Sequence, residues 1–235
     1  TTGSLGNNGT INLYGDYLNG NGGTTYGNGF YNLNGNWTNY GSFNAGTSIV
    51  TLQGIVNQTI THGSSGETFY ILTINNPGKL ITQFANAGST LTVLNNLNLT
   101  AGTLSLGPTT LNLIVGGKAT IGGSLTFDGT TPQTSSIADI LSGPGSIDMS
   151  GGSLPHLLNL TGATNAIGTL TTSPAGSSTV HYNGTTQTVF SSPTYRNLII
   201  SSSGIKPLMG NSTGGQDLNI SGGFFSFGTT TTHIG

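Results

Sequence analysis

The residues in this chain best equipped for chemistry are six acids and four histidines among 235 residues. General acid–base work on a polymer needs two carboxylates, or a carboxylate beside a cation, sharing one cleft. Asp16, Glu67, Asp128, Asp139, Asp148 and Asp217 stand singly along the chain, and no two sit at i, i+2 spacing. Asp148 falls where Asn12 stands in a related segment, which suits a turn role for a short polar side chain. The histidines are His62, His156, His181 and His233. A metal site needs convergent ligands, and nothing local supplies them, nor is there any cysteine to offer a thiolate. The run GPGSID at 143–148 is a single echo of a calcium-binding nonapeptide, where repeated copies would be needed. No G-x-S-x-G elbow sits between a strand and a helix to carry a Ser-His-Asp triad. The expectation is a protein without catalytic residues, metal or cofactor.

The more distinctive chemistry is aromatic. Tyr14, Tyr17, Tyr26, Phe30, Tyr31, Trp37, Tyr40 and Phe43 lie close together, whereas 150–175 contains no aromatic residue. Such a cluster suits a stacking platform for sugar rings or a contact face for a neighbouring subunit. It also suits plain packing of a wider coil.

Composition narrows the partners. Charged residues make up 4% of the chain, with a net charge of -2. No basic patch can neutralise phosphates, so nucleic acid is not an expected partner. No apolar run approaches the roughly 20 residues of a membrane-spanning helix. Glycine contributes 40 residues, and Thr, Asn and Ser supply most of the polarity. An uncharged polar surface suits stacked backbone ladders, where Asn and Thr meet their own kind without repulsion.

The elements that must position these groups read as strands. Apolar residues come as x-L-x-L doublets: Leu91/Val93, Leu97/Leu99, Leu104/Leu106 and Leu111/Leu113. Alternation puts both members of a doublet on one face. The doublets recur every six or seven residues, so three of them with their turns make a coil of about 20 residues. The spacing predicts an all-β, parallel β-solenoid (a β-helix) of short strands, with two β-sandwich domains as the alternative. Helix is nearly absent, and only 137–141 could form a single turn. The segment 115–136 is either a connector or one more coil.

The chain also repeats itself. LNLTAGTLSLG at 97–107 returns as LNISGGFFSFG at 218–228, and TTLNL at 109–113 as TTTHI at 230–234. VTLQG at 50–54 matches VHYNG at 180–184, and the Leu72/Ile74 doublet matches Leu198/Ile200. GTINLYG at 9–15 matches GSIDMSG at 145–151. The order is kept, so the reading is one continuous solenoid over 1–235, with copies at 5–136 and 141–235, the second incomplete. In this alignment His181 falls on Thr51 and His233 on Asn112, both outward positions.

The succession TVHYNGTTQTV at 179–189, YRNLIISSSGIK at 195–206 and LNISGGFFSFG at 218–228 resembles repeat units of large secreted surface proteins of Bacteroidetes-type bacteria, many described as adhesins. The resemblance implies an extracellular, cell-surface, repetitive and non-enzymatic protein. A stacked coil with uncapped ends implies head-to-tail association. The expected function is therefore a structural subunit of a bacterial filament or surface stalk. Its expected partners are further copies of itself, with surface polysaccharide as an adhesive target. A carbohydrate-binding or ice-binding module is the alternative, and a polysaccharide-degrading enzyme ranks below it. Ice binding would need Thr-x-Thr at one fixed place in successive coils, hinted at only by the threonines at 229–232.

Overall fold

A computed structural model describes residues 3–63, 66–84, 86–127, 130–172, 178–190, 194–208, 210, 212–226 and 232–234. Each strand pairs in parallel with the strand one turn further along, so the chain winds as a β-solenoid of about nine turns. Gly66–Phe69, Ser89–Val93, Thr110–Val115, Thr134–Ile137, Leu157–Leu160 and Thr179–Tyr182 lead the nine-stranded face. A thirteen-stranded sheet wraps two further faces, and Ser4–Gly6, Thr24–Tyr26 and Ser42–Asn44 form a separate three-stranded sheet.

The doublets decide which way each strand turns. In Ile49–Leu52 the inward Val50 and Leu52 are fully buried, while Ile49 and Thr51 are only partly covered. Register then stacks like on like: Val50, Leu72 and Leu97 form one interior column, with Leu52, Ile74 and Leu99 beside it. Burying each such side chain is worth about 1.5–3 kcal/mol, which makes these columns the main source of cohesion.

The turns are unequal. Stacked partners lie 18 residues apart at Thr24 and Ser42, and 25 apart at Leu72 and Leu97. Not all strands are short, either. Ile71–Phe84 and Leu97–Ser105 run through a corner as single bent strands, with register shifts around Asn75. Gly102, at φ 75°, makes that corner possible, because it lies against the Asn76 carbonyl oxygen where a Cβ would overlap it.

One local expectation is revised, and another is resolved in favour of one of its two alternatives. The one-turn helix at 137–141 does not form: Ile137 ends one strand and Leu141–Ser142 forms the next, leaving one 3-10 turn, Gly151–Ser153, among the described residues. The segment 115–136 is a full coil, with Ala119–Ile121, Ser124–Thr126 and Thr134–Ile137 paired to the turns on either side.

The sequence repeat has a structural counterpart. Val180, Leu198 and Leu218 stack in consecutive turns as their matches Val50, Leu72 and Leu97 do. The duplicated object is thus a stack of three rungs. The likeness of 9–15 to 145–151 has no such counterpart. Thr10–Leu13 shares a column with Ile49–Leu52 through Phe30–Leu33, whereas Ser146–Asp148 and Thr179–Tyr182 lie in different sheets.

Candidate functional site

The eight aromatic residues do not form one surface. Tyr17, Tyr31 and Trp37 are inside the coil, at 6%, 0% and 0% exposure. Trp37 stacks on Tyr17 at 4.0 Å and meets Phe43 and Phe69 edge-on at 4.8 and 5.2 Å. This is the packing role, and Phe69 belongs to the cluster although its position in the sequence did not suggest it. Tyr14, Tyr26, Phe30 and Tyr40 are exposed. They occupy three different corners: Tyr14 follows Thr10–Leu13, Tyr26 and Phe30 flank the corner between Thr24–Tyr26 and Phe30–Leu33, and Tyr40 follows Trp37–Asn39. A flat sugar-stacking platform made of all eight is therefore not what the fold builds. A cavity of about 310 Å³ opens beside Tyr17, Asn19, Asn21 and Thr25 in the first turn.

One acid is buried among these rings. Glu67 is 3% exposed and accepts hydrogen bonds from Trp37 Nε1 at 2.8 Å, Asn39 Nδ2 at 2.9 Å and the Thr68 amide at 3.0 Å. Asn19 donates in turn to Asn39 Oδ1 at 2.9 Å. Burial pushes the Glu67 carboxyl up to about 7, against the opposing pull of its three donors. It lies where Gly66–Phe69 opens the nine-stranded face, so it braces a junction. Asp148 accepts the Ser150 amide at 2.9 Å, the turn role expected of it. Asp16 accepts the Asn36 amide at 2.6 Å across one turn. Asp128 lies outside the described residues. No group of three or more potential metal ligands occurs among the described residues.

Outward positions reveal arrangements invisible in the linear sequence. Thr103/Ser105, Ser124/Thr126, Ser146/Asp148 and Thr169/Thr171 align in four successive turns as a double rank. Ser146 donates to Ser124 at 2.9 Å along it. A fixed Thr-x-Thr place, not found by reading along the chain, thus exists in partial form, with Ser105 8% exposed and Asp148 interrupting the hydroxyls. Residues 229–231 of the threonine run lie outside the described residues.

A second arrangement lies on the nine-stranded face. His181 Nε2 is 2.6 Å from Ser201 Oγ, and its Nδ1 is 3.1 Å from Asn159 Oδ1. Asn159 Nδ2 donates to Ser136 Oγ at 3.2 Å, which leaves its Oδ1 to accept from the ring. That fixes Nδ1 as the protonated nitrogen and Nε2 as the acceptor of the serine proton. Burial holds the imidazole below its usual range, so it is a neutral base near pH 7. All three side chains are half-buried and reachable from solvent. The outward position of His181 was legible from the alternation. Its partners were not, because they come from the turns before and after. His62 is likewise half-buried, and His156 is fully buried with Nε2 3.0 Å from the Gly151 carbonyl oxygen.

No family model, curated protein or solved structure matches the chain.

Proposed function

We propose that this chain is a rigid structural segment of an extracellular bacterial filament or surface stalk, associating head to tail with further copies. The observation that carries this reading is the three-rung stack of Val50, Leu72 and Leu97, built a second time as Val180, Leu198 and Leu218. An object whose turns contact only their neighbours gains length by repetition without a new core. Buried amides tie the turns together, as where Gln187 Nε2 reaches the Leu160 and Gly162 carbonyls at 2.7 and 2.9 Å. The backbone hydrogen bonds run along the rod axis, so a turn of another molecule can continue the ladder. The exposed Tyr14, Tyr26, Phe30 and Tyr40 give such neighbours lateral contacts. Electron microscopy and sedimentation across a concentration series test this. Rods that lengthen with concentration are expected, and compact monomers at every concentration would sink it.

The double rank of hydroxyls over Thr103–Thr171 positions favours a second reading, a module binding carbohydrate or ice. Repeated hydroxyls about one strand spacing apart, ~4.8 Å, present a regular hydrogen-bonding lattice. Thermal hysteresis or glycan-array binding that disappears in Thr126→Val with Thr169→Val would support it, and no signal in either assay would remove it.

A further inference from the structure

We propose that Ser201 is an activated nucleophile, with His181 as its base and Asn159 as a positioning residue, able to take the acyl group of a small carboxylic ester. This goes beyond the structural reading and is independent of it. It also rests on groups other than the scattered acids, which gave no reason to expect catalysis.

Three features of the geometry point there. The serine oxygen is 2.6 Å from His181 Nε2, close enough for direct proton transfer. The other ring nitrogen is engaged by Asn159 at 3.1 Å, so the acceptor faces the serine. A base oriented by an amide in this way is a known variant of the nucleophile–base–orienter constellation. The third feature is backbone. Ser202, directly after the serine, has φ 68° and is the only non-glycine residue among those described in the left-handed region. Strain of that kind costs of order 1–3 kcal/mol and gathers where a side chain must be held in one place. The Ser201 amide is bonded to the Tyr182 carbonyl at 3.0 Å, so the serine is anchored to the turn that bears His181.

The step balances without any further reagent. Ser201 Oγ attacks the ester carbonyl carbon while its proton passes to His181 Nε2. The carbon–oxygen bond to the leaving alcohol breaks, and that alcohol departs with the proton from the ring. An acyl-serine remains, which water releases by the reverse sequence.

The intact chain treated with a fluorophosphonate probe, and separately with 4-nitrophenyl acetate, tests the proposal by mass spectrometry and rate. The expected result is a single adduct on Ser201, formed about 100-fold more slowly in His181→Ala. His181→Gln keeps hydrogen-bonding groups in the column but no base. Slow labelling in that variant, with an unchanged circular dichroism spectrum, separates lost chemistry from lost folding. Asn159→Ala slows labelling and Asn159→Asp restores it, which a purely structural contact would not do. No adduct on Ser201, or equal rates with and without His181, overturns the proposal.

Discussion

Gln187 repeats the hydrogen bonding of Gln58 in the second three-rung stack. Gln58 Oε1 accepts the Gly54 amide at 3.0 Å, and Gln187 Oε1 accepts the Gly184 amide at 2.6 Å. Each Nε2 reaches back to two carbonyls of the preceding turn, Leu33 and Gly35 in one case and Leu160 and Gly162 in the other. Both side chains are buried, at 0% and 1% exposure. A corner leaves the Gly54 and Gly184 amides without a strand partner, and in each case one inward amide side chain satisfies that N–H while adding a donor to two carbonyls of the preceding turn. The brace has survived an altered corner, since Gly54 and Gln58 are separated by one residue more than Gly184 and Gln187.

Removing that brace exposes its worth. Gln187→Ala leaves the buried Gly184 N–H without a partner and takes one of two donors from the Leu160 and Gly162 carbonyls, which keep the Asn183 amide and Asn165 Nδ2, so a loss of about 1–3 kcal/mol is expected. Gln187→Glu keeps the acceptor but loses the donor and should cost at least as much near neutral pH. Urea denaturation of both variants checks this, and a midpoint unchanged in either would assign the stability to the leucine columns alone.

How much of this was written in the sequence depends on whether a feature lies within one turn or between turns. Alternation within a doublet depends on adjacent residues, so Leu97 and Leu99 identify their own inward face without help. Stacking depends on the residue count per turn, and stacked partners lie from 18 residues apart, at Thr24 and Ser42, to 26 apart, at Asn75 and Ala101. No single period therefore brings Asn159, His181 and Ser201 together, or aligns Thr103 with Ser124, Ser146 and Thr169. The bent strand Ile71–Phe84 was hidden for a related reason, because Asn75, Asn76 and Gly78 resemble a loop while serving as a corner. Glu67 carried a legible clue. It stands two residues before Phe69, so the same alternation that buries the ring points the carboxyl inward too.

That buried carboxyl makes stability depend on pH. The folded protein holds the Glu67 proton up to about pH 7, whereas the unfolded chain releases it near the ordinary carboxyl value of 4.5. The folded state binds more protons between those values, so stability is full below them and falls as pH rises through about 7. The loss is on the order of a few kcal/mol, set by the width of that window. Tyr17, whose hydroxyl is pushed up to about 12 chiefly by burial, stays neutral throughout. His62, held below its usual range by burial, sits one rung from Asn39 and adds a smaller change at acid pH. Glu67→Gln mimics the protonated form. Thermal melts of the variant between pH 5 and 8 should be nearly flat, and a slope equal to that of the wild type would refute this account.

The division of the aromatic cluster into inside and outside has a direct consequence. Trp37 is fully buried against Tyr17, Phe43 and Phe69 and donates to Glu67, so Trp37→Ala should cost about 3–5 kcal/mol. Tyr14 is 89% exposed, and Tyr14→Ser should lie within about 0.5 kcal/mol of the wild type. Trp37 is the single tryptophan, so its fluorescence reports this cluster alone. Guanidinium melts followed by fluorescence give the comparison for Tyr14→Ser, and circular dichroism gives it for Trp37→Ala.

The corner at Gly102 offers the sharpest contrast between two glycines of similar local sequence character. Gly102 has φ 75°, a region where an L-residue is strained, and an added methyl would overlap the Asn76 carbonyl of the preceding turn. Relief would require the turns to separate, which breaks the register of Leu97–Ser105 on Ile71–Phe84 and uncovers Leu99 and Leu104. Gly15 has nothing within 4 Å of where its Cβ would lie. Gly102→Ala should therefore lose at least about 2 kcal/mol, while Gly15→Ala should be neutral within about 0.5 kcal/mol. If the corner folds late and independently of the columns, Gly102→Ala would raise the unfolding rate and leave the refolding rate unchanged. If winding of the coil begins at this corner, the same substitution would slow refolding instead. Stopped-flow kinetics distinguishes the two, and equal stability of the two glycine variants would show that the corner does not hold the turns in register.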